Sequence, residues 1–178
     1  MLNRITYEAA CEKPQHLGKP TVPGGFVVFI GTFVRNVMNE AAIQALKNKL
    51  KEFGYNPLPE PVGEDRMQFK SDQGQPLEVV LLSLNLDNAR SVSLNQREFE
   101  YTLRADLWIF LVLTMSDMEP MLYLIPSMVF NTPNDIFLTH QQPSALHHFS
   151  TWEIKIFTRA IPTLSCYALE AVTKPDRP

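Results

Sequence analysis

Two cysteines, Cys11 and Cys166, are all that this chain of 178 residues contains, and they lie near opposite ends. They form no CxxC pair, so no thiolate metal site and no framework of disulfide bridges is expected. Both read as reduced thiols of a cytosolic protein. Long apolar runs are also missing: the longest, Leu107–Met115, falls far short of the roughly 20 residues that a spanning helix needs. The first sixteen residues carry Glu8, Cys11, Glu12, Lys13 and His16 among few aliphatics, and lack the basic, apolar, small-residue order of a secretory leader. No membrane role is therefore expected. Nor is there an excess of basic charge. The chain has 16 Lys+Arg against 19 Asp+Glu, a net charge of −3, which argues against coating nucleic acid through a broad basic surface. A nuclease stays compatible with that balance, because a bound cation can supply local positive charge to an acidic site. No internal repeat or low-complexity tract appears.

What is present suits one globular domain, with 45% hydrophobic and 20% charged residues. Residues 1–24 hold Pro14, Gly18, Pro20, Pro23 and Gly24 with little periodicity and read as an extended N-terminal arm. Residues 25–178 read as a single domain. It opens on a short β-type run, Phe26–Ile30. From Val34 to Phe53 apolar residues recur at three- and four-residue steps, with Lys47, Lys49, Lys51 and Glu52 outside, and Gly54 stands where a left-handed cap is wanted.

Farther on, Arg66–Lys70, the turn Ser71-Asp72-Gln73-Gly74 and Leu77–Leu82 predict a β-hairpin whose second strand is interior. Ser93-Leu94-Asn95-Gln96 has the form of a capping box opening a helix over about Leu94–Arg104. Leu107–Leu113 is too apolar for an edge strand, and Met121–Ile125 is its hairpin partner. A short turn around Met128–Phe130, brief strands at Ile136–Leu138 and Trp152–Phe157, and a last helix over Pro162–Val172 complete the prediction.

The pieces Gly31-Thr32-Phe33, Asn39-Glu40-Ala41, Leu46, Leu50 and Phe53-Gly54-Tyr55 resemble the first helix of the restriction-endonuclease-like, or PD-(D/E)XK, nuclease superfamily. Gly63-Glu64-Asp65-Arg66 resembles its aspartate motif, and Leu77-Glu78-Val79-Val80 stands where the (D/E)XK triplet is expected. Leu107–Val112 followed by Tyr123-Leu124-Ile125-Pro126-Ser127 is similar to the later strands of uncharacterised bacterial relatives. The resemblance spans Gly31 to Ser127, about half of the chain, and lies in order and spacing. It implies an α/β fold with a central mixed sheet flanked by helices. It also implies a metal-dependent nuclease acting on DNA, Mg²⁺ held by Asp65 and Glu78 with Mn²⁺ as a substitute, Glu40 as an accessory carboxylate, and a homodimer.

The chemistry behind those residue types is general. Two carboxylates at adjacent strand ends hold the cation, which stabilises charge building on the phosphate. A lysine two residues after the glutamate shares its strand face and positions the attacking water. Here that position is Val80, which neither donates a hydrogen bond nor carries charge. Lys70 on the neighbouring strand is the candidate for a displaced lysine. The alternatives are a non-catalytic binding or regulatory module that retains the nuclease fold and meets a protein partner, and an unrelated α/β domain that matches the order by chance, which Asp65 and Glu78 side chains pointing apart would establish.

Each residue also has an ordinary role: Asp65 as a turn residue, Glu40 as a solvated helix residue, and Glu78 as a strand carboxylate that must be paired, metal-bound or at an exposed strand end. Asp135 with Glu153-Ile154-Lys155 matches the motif literally, but only one helix remains after it, and cross-strand ion pairing is its ordinary reading. His140, His147 and His148 read as solvent-exposed loop histidines, and Ser127 as a cap for the following turn.

Overall fold

The computed structural model describes residues 39–59, 65–100 and 102–172, without the side chains of 144 and 145. The expected arm, the strand at Phe26–Ile30, the first turn of the predicted helix at 34–38 and Glu64 of the aspartate motif lie outside these residues.

Helix α1 spans Glu40–Glu52 and is capped by Asn39, whose side chain accepts the Ala41 N–H at 2.9 Å. It ends at Phe53, and Gly54 follows with φ +82°. A side chain at Gly54 would be strained by that backbone angle, and its Cβ would also lie 2.9 Å from Asp72 Oδ2. Strands β1 (Tyr55–Pro57), β2 (Arg66–Ser71), β3 (Pro76–Asn85), β5 (Leu107–Thr114) and β6 (Met121–Pro126) form one sheet in the order β1-β2-β3-β5-β6. The β3–β5 pair is parallel and the other pairs are antiparallel. Strands β4 (Ser91–Asn95), β7 (Phe137–His140) and β8 (Thr151–Lys155) form a second, antiparallel sheet in the order β4-β8-β7.

The period of two along β3 decides where everything packs. Leu77 and Val79 face α1, forming a core with Ala42, Leu46, Leu50, Phe69, Trp108 and Phe110. Val80, Leu82 and Leu84 face the other way, toward the second sheet and Leu94, Phe137, Trp152 and Ile154. Strand β5 is buried on both faces from Leu107 to Leu113, as its unbroken apolar run requires.

A mixed central sheet is thus what forms, and both hairpins stand where the sequence places them. The flanking layers differ from expectation: α1 covers one face, while the other is covered mainly by the three-stranded sheet. The helix expected over Leu94–Arg104 is replaced by β4 and a 3₁₀ turn at Gln96–Phe99. Its cap is Asn95, which accepts the Arg97 N–H at 2.9 Å, and left-handed Glu100 ends it after four residues. The pairing of β4 with β8, Leu94 opposite Trp152, decides for strand over helix. The last helix α2 is likewise short, Ile161–Ser165, followed by turns and a bridge between Ala168 and Tyr123. Cys166 is disulfide-bonded, against the expectation of a reduced thiol there. Among the described residues no helix is long and apolar enough to cross a membrane.

Candidate functional site

Glu78 lies on β3 opposite Gln68 of β2, on the face that carries Val80 and Leu82. Its side chain is 13% exposed and bridges two arginines: Arg66 Nη1 donates to Oε1 at 3.1 Å, and Arg104 Nη2 donates to Oε2 at 2.5 Å. Both carboxylate oxygens are therefore engaged by permanent cations. Arg66 is held in turn: its Nη2 donates to the Glu98 carbonyl at 2.8 Å, and its guanidinium stands over the Phe99 ring at 4.5 Å from the centroid. Arg104 also approaches Asp106 at 3.6 Å, and its carbonyl accepts the Ser127 hydroxyl at 2.8 Å. Ser127 is fully buried and makes that tie rather than capping the following 3₁₀ turn. The cluster borders a cleft of about 240 Å³, lined in part by Gln68, Glu78, Arg104 and Asp106.

The other sequence-predicted residues do not gather around Glu78. Asp65 immediately precedes β2, and its carbonyl accepts the Leu81 N–H at 2.8 Å. It therefore shares the register of Leu81, whose side chain packs on the α1 side of the sheet. Glu40 is exposed at the start of α1, on that same side. Lys70, exposed and opposite Pro76, has the same parity along β2 as Arg66 and Gln68 and so lies on the Glu78 face. The sheet thus separates Asp65 and Glu40 from Glu78 and Lys70, the arrangement expected of an α/β domain that matches the motif order by chance. Val80, at the motif lysine position, is 1% exposed within the core.

The second motif is also ion-paired. Glu153 on β8, 14% exposed, meets His140 Nε2 of β7 at 2.7 Å and Lys155 Nζ at 3.9 Å. Burial by itself would raise its pKa, but hydrogen bonds from His140 and Ser91 and the nearby Lys155 charge hold it below the ordinary value. His140 is thus an exposed residue with a strand partner rather than a loose loop histidine. Asp135 is exposed in the loop before β7.

The two arginines are what sequence reading missed. Arg66 was within reach of the hairpin register, since its place on β2 lies diagonal to Glu78. Arg104 is 26 residues from Glu78 in the chain, and no local pattern links them. No family model, curated protein or solved structure matches this chain.

Proposed function

We propose that this chain is a binding or regulatory module that keeps a nuclease-like order of helix, hairpin and parallel strand while using Glu78 as a structural ion-pair centre. The observation that carries this reading is the engagement of both Glu78 oxygens by Arg66 and Arg104. A carboxylate on an apolar strand needs compensation for lost hydration. Here two guanidiniums supply it, which leaves the group poorly placed to release its oxygens to a cation. The burial of Val80 supports the same reading, and the surface of the domain then serves a partner, of which a protein is the leading class.

A second reading, Mg²⁺-dependent cleavage of DNA by a homodimer, is favoured by one observation: Lys70 lies on the Glu78 face of the hairpin. Calorimetric titration of the protein with Mn²⁺, beside Glu78→Gln and with a plasmid incubation in Mg²⁺, separates the two. On the binding-module reading, Glu78→Gln lowers the unfolding temperature, leaves the Mn²⁺ isotherm unchanged, and neither protein nicks the plasmid. Mn²⁺ binding and plasmid cleavage that are both lost in Glu78→Gln would establish the nuclease.

A further inference from the structure

The edge strands of the two sheets are β1, β6, β4 and β7, and an edge offers unpaired backbone N–H and C=O groups that another strand can take up. All but one of these edges is blunted. Along β6, the Leu124 N–H donates to the Tyr167 carbonyl and the Leu169 N–H to the Leu122 carbonyl, each at 2.8 Å, so the segment after α2 covers it. On β1, Pro57 stands at an outward position and has no N–H to offer. On β7, the Asn134 side chain accepts the Phe137 N–H at 2.9 Å, and the Asn134 N–H donates to the Phe137 carbonyl at 2.9 Å.

Strand β4 is the exception. The Ile156 N–H donates to the Arg90 carbonyl at 2.7 Å and the Gln96 N–H to the Ser150 carbonyl at 2.9 Å. With that register the residues bonded to β8 are Val92 and Leu94. Ser91, Ser93 and Asn95 therefore turn their backbone groups outward. Among the described residues nothing bonds the N–H groups of these three or the carbonyls of Ser91 and Ser93. The strand also lacks the devices that deter pairing: Ser91–Asn95 holds no proline, no charge and no bulge, and Ser93 is exposed. Its composition selects the occupant. A charged strand finds no counter-charge on Ser-Val-Ser-Leu-Asn, whereas a second copy meets it without like-charge repulsion.

We infer that β4 pairs antiparallel with β4 of a second copy about a two-fold axis at Ser93, joining the two three-stranded sheets into one. Ser93 then exchanges N–H and C=O with its own counterpart, and each Asn95 N–H reaches the other copy's Ser91 carbonyl. Side-chain parity is kept, with Ser91, Ser93 and Asn95 on the outer face and Val92 and Leu94 on the core side. A strand of 5 residues buries less than the roughly 1,200 Å² of a standard interface. The dimer is therefore weak and reversible, with a Kd of about 10–100 µM. The edge belongs to the sheet without Glu78, so dimerisation and the reading of Glu78 fail separately.

Sedimentation equilibrium of the full chain from about 5 to about 500 µM tests the pairing. The apparent mass is expected to rise from 20.3 kDa toward twice that value. Ser93→Pro removes the central donor and no bond to β8, so it should abolish the rise. Ser93→Lys sets two ammonium groups against each other across the axis and should raise Kd at least about fivefold. Ser93 lies opposite Glu153, so at low concentration that variant should unfold at or above the wild-type temperature, which keeps the test sound if Ser93→Pro does not fold. Mixing Ser93→Lys with Ser93→Glu should restore association at least about fivefold over either alone, because only this two-fold places the same residue opposite itself. A mass that stays at 20.3 kDa up to about 500 µM would overturn the inference and leave the edge to a strand of a different protein. Association unchanged in Ser93→Lys, or a mixture no tighter than its components, would overturn it equally.

Discussion

Two glutamates sit at comparable places in the two sheets of this protein, and their surroundings differ. Glu78 and Glu153 each lie on a strand with an apolar residue next to them, and each is nearly buried, with side chains 13% and 14% exposed. Glu153 is followed two residues later by Lys155, the literal spacing of a nuclease triplet, whereas Glu78 is followed by Val80. The sequence comparison alone would rank Glu153 as the richer site. The structure shows that the defining partners come from elsewhere: two arginines for Glu78, one reaching it from the segment before β5, and a histidine on the next strand for Glu153. A carboxylate in a sheet is defined by what faces it across strands, and the E-x-K spacing specifies only a neighbour on its own strand.

Exchanging the two triplets is the sharpest way to break this comparison. Val80→Lys should have the largest effect, because Val80 is 1% exposed in the core between the sheets. An unpaired ammonium there should cost more than about 4 kcal/mol and leave the chain largely unfolded by circular dichroism. Recovery of a folded, metal-dependent nuclease in that variant would reverse the reading of Glu78.

Next in size is Glu78→Ala, which leaves Arg66, 19% exposed, without its counter-charge. A loss of about 3 kcal/mol is expected by urea unfolding, with Arg104→Ala costing about 1 kcal/mol because that side chain is 45% exposed. Equal losses for the two would mean that Glu78 is not the centre of the cluster.

Glu153→Gln should cost about 1 kcal/mol at neutral pH, and it should also change the acid limb of stability. Because the folded state holds the Glu153 pKa below its ordinary 4.5, its contribution is complete above that value and is lost as pH falls through the folded pKa. Unfolding midpoints measured from pH 6 down to about pH 3 should therefore converge for wild type and Glu153→Gln, and parallel curves would contradict the assignment. The smallest effect belongs to Lys155→Val: with Lys155 45% exposed and 3.9 Å from its partner, the change should stay within about 0.5 kcal/mol.

How much of this was legible beforehand follows from how local each determinant is. Helix α1 and the two hairpins were readable because their signals lie within a few residues: Gly54 after a 3.6-residue period, and Gly74 and Asp117, both with positive φ, at the hairpin turns. The segment from Leu94 to Leu103 was misread because Leu94, Phe99 and Leu103 fit a helical face as well as they fit a strand followed by a turn. The arbiter is β8, whose Trp152 lies opposite Leu94 from far along the chain. Glu78 could be singled out as a strand carboxylate in need of a partner, and Arg66 lay within reach of the hairpin register, but no local pattern points to Arg104, 26 residues away.

The crossover between β3 and β5 has a bearing on how the molecule is made. Parallel neighbours need a long connection, and here that connection contributes β4 to the other sheet. On a ribosome, β3, β5 and β6 emerge well before β8, so Leu82, Ile109 and Ile125 have a greasy surface and no cover while β4 waits unpaired. Synthesis therefore passes through an interval in which the nascent chain is most exposed to aggregation and to chaperone capture. It ends when residues 151–155 appear and let β4 close the second layer.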